Sequence, residues 1–236
     1  PGKRCISSKP VRYRSEEERM RLAVFGATGG TGRQLTQQAL ERGHDVVVLA
    51  RNPAAVRAEH PRLRVEQGDV LDPTAVDRVV DGCDAVASAL GSGYRRHATT
   101  VYSAGTRNIL TSMRRSGVFR IVVVSTSSIQ VPPLAHFGEW AVSRLLLHPL
   151  LRKPYSDMIE MERLVRASDR RWSLVRAARL TNGQRTGKYR SATDAKLRGC
   201  WSISRADVAH YMLRHLEDHR IYRRTIELAG AGVSVL

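Results

Sequence analysis

The chain has 236 residues, 42% of them hydrophobic and 26% charged, enough for one sizeable core and short for two domains. No apolar run approaches the roughly 18 residues of a membrane span, and three scattered cysteines (Cys5, Cys83, Cys200) argue against a disulfide framework and suit a reducing, cytoplasmic setting. The formal charge of +17 invites a nucleic-acid reading, but only five of the 39 basic residues are lysine, and the 34 arginines are spread along the whole length with few aromatic neighbours; this fits a dispersed solvated surface and an acidic small-molecule partner better than a nucleic-acid face.

Residues 1 to 19, "PGKRCISSKPVRYRSEEER", are basic and polar without apolar periodicity, and they read as an extension of a single domain covering 20 to 236. "RLAVFGA" then reads as a buried strand ended by glycine. "GRQLTQQALERG" follows as a helix, with Leu35, Ala39 and Leu40 on one face and Gly43 as its stop. "HDVVVLARN" and "LRVEQGDVLD" are the second and third strands, and "DPTAVDRVVDGC" is a short helix capped by Asp72. "DAVASALGS" is a fourth strand, "TTVYSAGTRNILTSMRRSG" a longer helix closed by Gly117, and "RIVVVSTSS" a fifth strand.

After Ser128 the rhythm loosens, and the proline-bearing segment at about 129 to 155, which also carries an apolar helical patch, is expected to form a flap or a helix over the site. "SDMIEMERLVRASDRR" is helical again, "WSLVRAARL" is a sixth strand, "SISRADVAHYMLRHLEDH" is a helix capped by Ser204 or Asp207, and "RRTIELAG" is a final strand. Strands apolar on both faces, alternating with helices, imply parallel βαβ units and a doubly wound α/β fold of the Rossmann type, with a small flap or substrate region.

The motif with most chemical content is Gly26-x-x-Gly29-x-x-Gly32, at the first strand-to-helix junction. Glycines there allow a tight turn and let backbone N–H groups approach a pyrophosphate, which the helix dipole also favours. An NAD-type site usually places an acid at the end of the second strand; here stand Arg51 and Asn52. A guanidinium suits the 2′-phosphate of NADP(H) through charge-assisted hydrogen bonds, and Arg57 in the same loop can assist.

In order along the chain, "AVFGATGGTGRQL", "VVLARNP", "VEQGDVLD", "DAVASALGS", "GTRNIL", "VVVSTSS" and "ISRADVAHYMLRHL" resemble the atypical short-chain dehydrogenase/reductases that bind NAD(P)H. The likeness is greatest to the flavin reductase/biliverdin-IXβ reductase branch and more distant to NmrA-type proteins. It implies that Thr28, Gly29, Gly30 and Thr31 hold the pyrophosphate and Arg51 the 2′-phosphate. It also implies that Asp69 and Val70 flank the adenine and that Leu90, Gly91 and Ser92 line the nucleotide. Ser125 and Thr126 would lie by the cofactor at the end of the fifth strand, with Ser127 beside the substrate.

Two departures shape the expected chemistry. Tyr155 is followed four residues later by Ile159, so the Tyr-x-x-x-Lys pair of ordinary short-chain dehydrogenases is missing. In "VRAARLTNG", Arg179 stands where the flavin reductases tend to carry a histidine; it either meets an anionic acceptor or charge developing on a reduced one, or braces the loop.

His215 and His219 are four apart on a helix, but no ligand set with metal spacing converges, and no metal is expected. His136 falls in the flap, Ser127 has no triad partners in any known order, and Asp157, Glu160 and Glu162 read as a solvated acidic face. The expectation is a cytoplasmic NADPH-dependent reductase acting on a flavin, quinone or similar conjugated acceptor, with Ser127 and Arg179 at the reacting end. The alternatives are a non-catalytic NADP(H) sensor of the NmrA type and an isomerase or epimerase on the same fold.

Overall fold

A computed structural model describes residues 19–91, 100–127, 148–197 and 201–231, with the side chains of 148–154 excepted. Its centre is an eight-stranded sheet in the order β3-β2-β1-β4-β5-β6-β10-β8. The strands are β1 (Arg21–Phe25), β2 (Asp45–Ala50), β3 (Leu63–Gln67), β4 (Ala85–Ser88), β5 (Arg120–Thr126), β6 (Arg171–Ala177), β8 (Tyr189–Thr193) and β10 (Arg224–Gly230). All neighbours are parallel except β8, which pairs antiparallel with β10 at the edge. The order reverses between β1 and β4, the switch point at which open α/β sheets gather ligands.

Alternation along each strand feeds two cores. On one face Leu22 and Val24 of β1 meet Leu35 and Ala39 of α1 (Gly30–Glu41) and Val208 and Met212 of α5 (Arg205–Arg214). On the other, Ala23 and Phe25 meet Val76 and Val79 of α2 (Pro73–Val80), Ile109 and Met113 of α3 (Val101–Arg115), and Met161 and Val165 of α4 (His148–Ala167). This period-two split, in strands buried on both sides, is what made their apolar runs continuous.

Four features refine or depart from the sequence reading. First, helix α4 starts at His148, so 148 to 155, left open as flap or helix, are helix; 129 to 147 lie outside the described residues. Second, "WSLVRAARL" is not one strand. It breaks at Ala178, whose N–H bonds the Leu228 carbonyl, and resumes as β7 (Arg179–Thr181), paired in a small separate sheet with β9 (Ser202–Ser204). Third, β8 is a polar edge strand paired on one side only, a position that leaves little apolar signal. Fourth, Arg19, at the end of the supposed appendage, holds Asp45 with two 2.7 Å hydrogen bonds, while 1 to 18 lie outside the described residues.

The β2-to-β3 crossover has no α-helix. A single 3-10 turn, Pro53–Ala55, carries the chain across, with the Asn52 side chain accepting from the Ala54 N–H at 3.2 Å. Between this loop and α1 lies an open groove of about 590 Å³, lined among others by Arg33, Gln37, Arg57, Glu59 and His60.

Candidate nucleotide site

The loop from β1 to α1 is tight for reasons visible atom by atom. Gly26 has φ +83°, and a Cβ built on it would lie 2.2 Å from the Ala89 carbonyl oxygen, against the end of β4. A Cβ on Gly32 would lie 2.0 Å from the Gly26 carbonyl oxygen, which also accepts from the Gly29 N–H at 2.9 Å. These two glycines therefore serve the turn itself. Gly29 and Gly30 are exposed at its outer edge, with Thr28 half-buried and Thr31 buried beside them.

Helix α1 begins with Gly29 as its N-cap residue, with no side-chain cap and no acidic residue in its first turn. Its first N–H groups are thus presented with their dipole intact, a cradle with the chemistry an anion needs. The residues fit a dinucleotide's pyrophosphate.

At the end of β2, Arg51 is exposed and makes no ion pair among the described residues. The oxygen of Asn52 is spent on its own turn. The groove beside them is lined instead by Arg33 and Arg57. Arg33 was missed from sequence; its signal was its place directly after the third glycine.

Asp69 uses its carboxylate to accept from the Leu71 N–H at 3.0 Å, which shapes the turn after β3. Val70 is buried, and its carbonyl accepts from Asn108 Nδ2 at 2.9 Å. A Cβ on Gly105 of α3 would lie 2.9 Å from Val70 and 3.2 Å from Leu90, so the structure brings Val70 and Leu90 together against that helix. Gly91 follows, exposed, and Ser92 lies outside the described residues.

The ends of β5 and β6 hold a buried polar network. The Ser125 hydroxyl donates to Glu162 Oε1 at 2.7 Å, so this hydroxyl is engaged at the sheet–α4 interface. Glu162 also accepts from Arg176 Nε at 2.9 Å and Nη2 at 2.6 Å, and Arg176 lies 3.8 Å from Glu227. Burial pushes the Glu162 carboxyl up, but the hydrogen bonds from Arg176, Ser125 and Arg166 outweigh it and hold it below the ordinary carboxylate range. Ser127 donates to the Arg176 carbonyl at 3.1 Å, and Thr126 is half-buried next to it.

The acidic residues of α4 are not a solvated face. Asp157 is buried and accepts from the Tyr102 and Ser103 N–H groups at 3.0 and 3.1 Å, capping α3 from a neighbouring helix. Glu162 is buried in the network, and only Glu160 faces water, paired with Arg163. Arg179 sits exposed on β7 with no hydrogen bond or ion pair from its side chain among the described residues. His215 is stacked on Tyr211 with ring centroids 4.3 Å apart, and no group of three metal-ligand side chains occurs among the described residues. No described helix is long and apolar enough to cross a membrane.

Comparison with known proteins agrees with this geometry. A 3β-hydroxysteroid dehydrogenase/Δ5→4-isomerase of Mycobacterium tuberculosis is 35% identical over 120 residues, 46% of this chain and 32% of that protein. The chain thus spans about a third of that relative's length. A short-chain dehydrogenase/reductase of Veillonella parvula, solved with NADP, superimposes with a TM-score of 0.73 at 16% identity, covering 90% of this chain and 95% of that one. ChuY, an anaerobilin reductase of Escherichia coli O157:H7, does so with a TM-score of 0.71 at 17% identity, covering 92% and 100%. These two share the fold. Residues 26–219 match the family described as NAD(P)H-binding. With that match spanning the glycine loop, the strand ends and α5, the chain belongs to the NAD(P)H-binding family.

Proposed function

We propose that the protein is an NADPH-dependent reductase delivering hydride to a flavin, a quinone or a similar conjugated aromatic. One observation carries this reading: four residues after Tyr155, where the lysine of a Tyr-x-x-x-Lys pair would stand, α4 has the half-exposed Ile159. An isolated carbonyl needs a positioned acid as its oxygen becomes anionic. A conjugated acceptor spreads that charge and takes its proton from water, so alignment is enough.

Bound NADPH would supply the hydride. This chain's own residues bind and orient. The N–H groups at the start of α1 would hold the pyrophosphate, and Arg51, aided by Arg33 and Arg57, would hold the 2′-phosphate. Val70 and Leu90 form an apolar wall for the nucleotide. Thr126 and Ser127 would stand at the reacting end, and Arg179, without an ion pair among the described residues, would offer its charge to an anionic acceptor. The name of the anaerobilin reductase sharing the fold is in keeping with a large conjugated acceptor.

The test is oxidation of NADPH by the purified protein with a panel of free flavins and quinones. Turnover with at least one is expected, and Arg179→Ala should raise KM for it or lower kcat while NADPH affinity holds. Tight NADPH binding without turnover of any acceptor would overturn the reading in favour of a sensor.

A further inference from the structure

The start of α5 brings one more side chain to the cradle. Arg205 is the first residue of that helix, and it lies along Gly30 of α1. A Cβ on Gly30 would sit 2.5 Å from Arg205 Cδ and 2.8 Å from Nε, so the arginine lies directly over the space that this glycine leaves open. Nη1 donates to Asn182 Oδ1 at 2.7 Å, a neutral partner one residue beyond β7. Among the described residues no carboxylate pairs with Arg205.

This is an unfavourable place for an unpaired cation. Each helix start carries roughly half a positive charge from its peptide dipoles, and Arg205 is at one start and against the other. The acid nearest in sequence, Asp207, is already committed: it accepts from the Thr186 and Gly187 N–H groups and from the Thr186 hydroxyl, each at 2.8 Å. An anion at the cradle converts all three positive groups from mutual repulsion to common attraction.

We infer that Arg205 is a phosphate-binding residue, holding the pyrophosphate of the dinucleotide over the start of α1. A guanidinium has five N–H donors, and Asn182 uses one, which fixes the fork and leaves Nε beside Gly30. The inference rests on the NADP(H) site and is independent of the acceptor.

The experiment titrates NADPH and adenosine 2′-monophosphate, which keeps the 2′-phosphate and lacks the pyrophosphate, into wild type and Arg205→Gln. NADPH should bind roughly tenfold to a hundredfold more weakly, as for one lost charge-assisted hydrogen bond, with a shallower salt dependence. Affinity for the monophosphate should stay within about twofold. NADPH affinity within about twofold of wild type, or equal losses for both ligands, would overturn the assignment, the second result marking a structural role. Should Arg205→Gln not fold, Asn182→Ala on the exposed loop reads the same contact: a loss of roughly a few-fold confined to NADPH is expected, and no change overturns it. A wild type that binds no NADPH overturns the site and the inference together, whereas a bound but untouched NADPH in Arg205→Gln sinks the inference alone.

Discussion

Helices α1 and α5 start near each other at the carboxyl ends of the strands, and they are finished in opposite ways. At α5 the Ser204 hydroxyl accepts from the Asp207 N–H at 2.9 Å, and an acid stands in the first turn. Helix α2 has Asp72 in the same role, and α3 borrows Asp157 from α4. At α1 neither a cap nor an acid is present. A side-chain cap contributes about 1 kcal/mol and needs only one small polar residue. Among the described helix starts, those of α2, α3 and α5 are closed by a side chain and that of α1 is left open, which is the start proposed to meet phosphate.

Substitutions can break this contrast from either side. The largest stability effect is expected at α3, where Asp157→Ala strips a buried carboxylate from two N–H groups. Unfolding free energy should fall by about 2–3 kcal/mol, measured by denaturant titration, with NADPH affinity of the folded fraction unchanged. Closing α1 should do the reverse. Gly29→Asp supplies the missing acid, so the apoprotein should keep its stability to within a few tenths of a kcal/mol while NADPH binding weakens about a hundredfold by titration. A protein that tolerates this acid without losing affinity has its phosphate elsewhere.

The 2′-phosphate end should respond less. Arg51→Ala is expected to weaken NADPH roughly tenfold to a hundredfold and leave NADH nearly untouched, since one charge-assisted contact is removed. Equal wild-type affinities for the two nucleotides would refute that assignment outright. The smallest effect belongs to α5: Ser204→Ala should lower stability by about 1 kcal/mol and move NADPH affinity by less than about twofold. A large binding loss there would mean that the two starts are coupled more tightly than packing alone requires.

Local signals carried most of the fold. The apolar runs of β1, β2, β4 and β5 and the Gly26–Gly32 spacing are contiguous in sequence, so reading them needs no knowledge of neighbours. The small sheet and the α4 acids were harder because both depend on what packs across from them. Strands β7 and β9 have three residues each, too short for a period to show. Asp157 looked solvated by its charge, yet it lies four and eight residues before the buried Met161 and Val165, on the same helical stripe. That spacing was available and outranked the residue's polarity. Arg205 lies in "ISRADVAHYMLRHL", a family-like stretch, but in a chain with 34 arginines its place at the cradle shows only once Gly30 is seen beneath it.

The helix-free crossover between β2 and β3 has an evolutionary consequence. A loop's closure entropy changes by only about 0.6 kcal/mol for each doubling of its length, and this one packs few core residues, chiefly Val56 and Ala58 at its inner side. Arg51 and Arg57 are both exposed on it. Insertions and charge reversals there leave the two cores intact, whereas Gly26 and Gly32 each admit no side chain at all. With Arg51 and Arg57 in their proposed role, nucleotide preference is the trait this architecture exchanges at least cost to its cores, and nucleotide binding the one it cannot surrender without rebuilding its first turn.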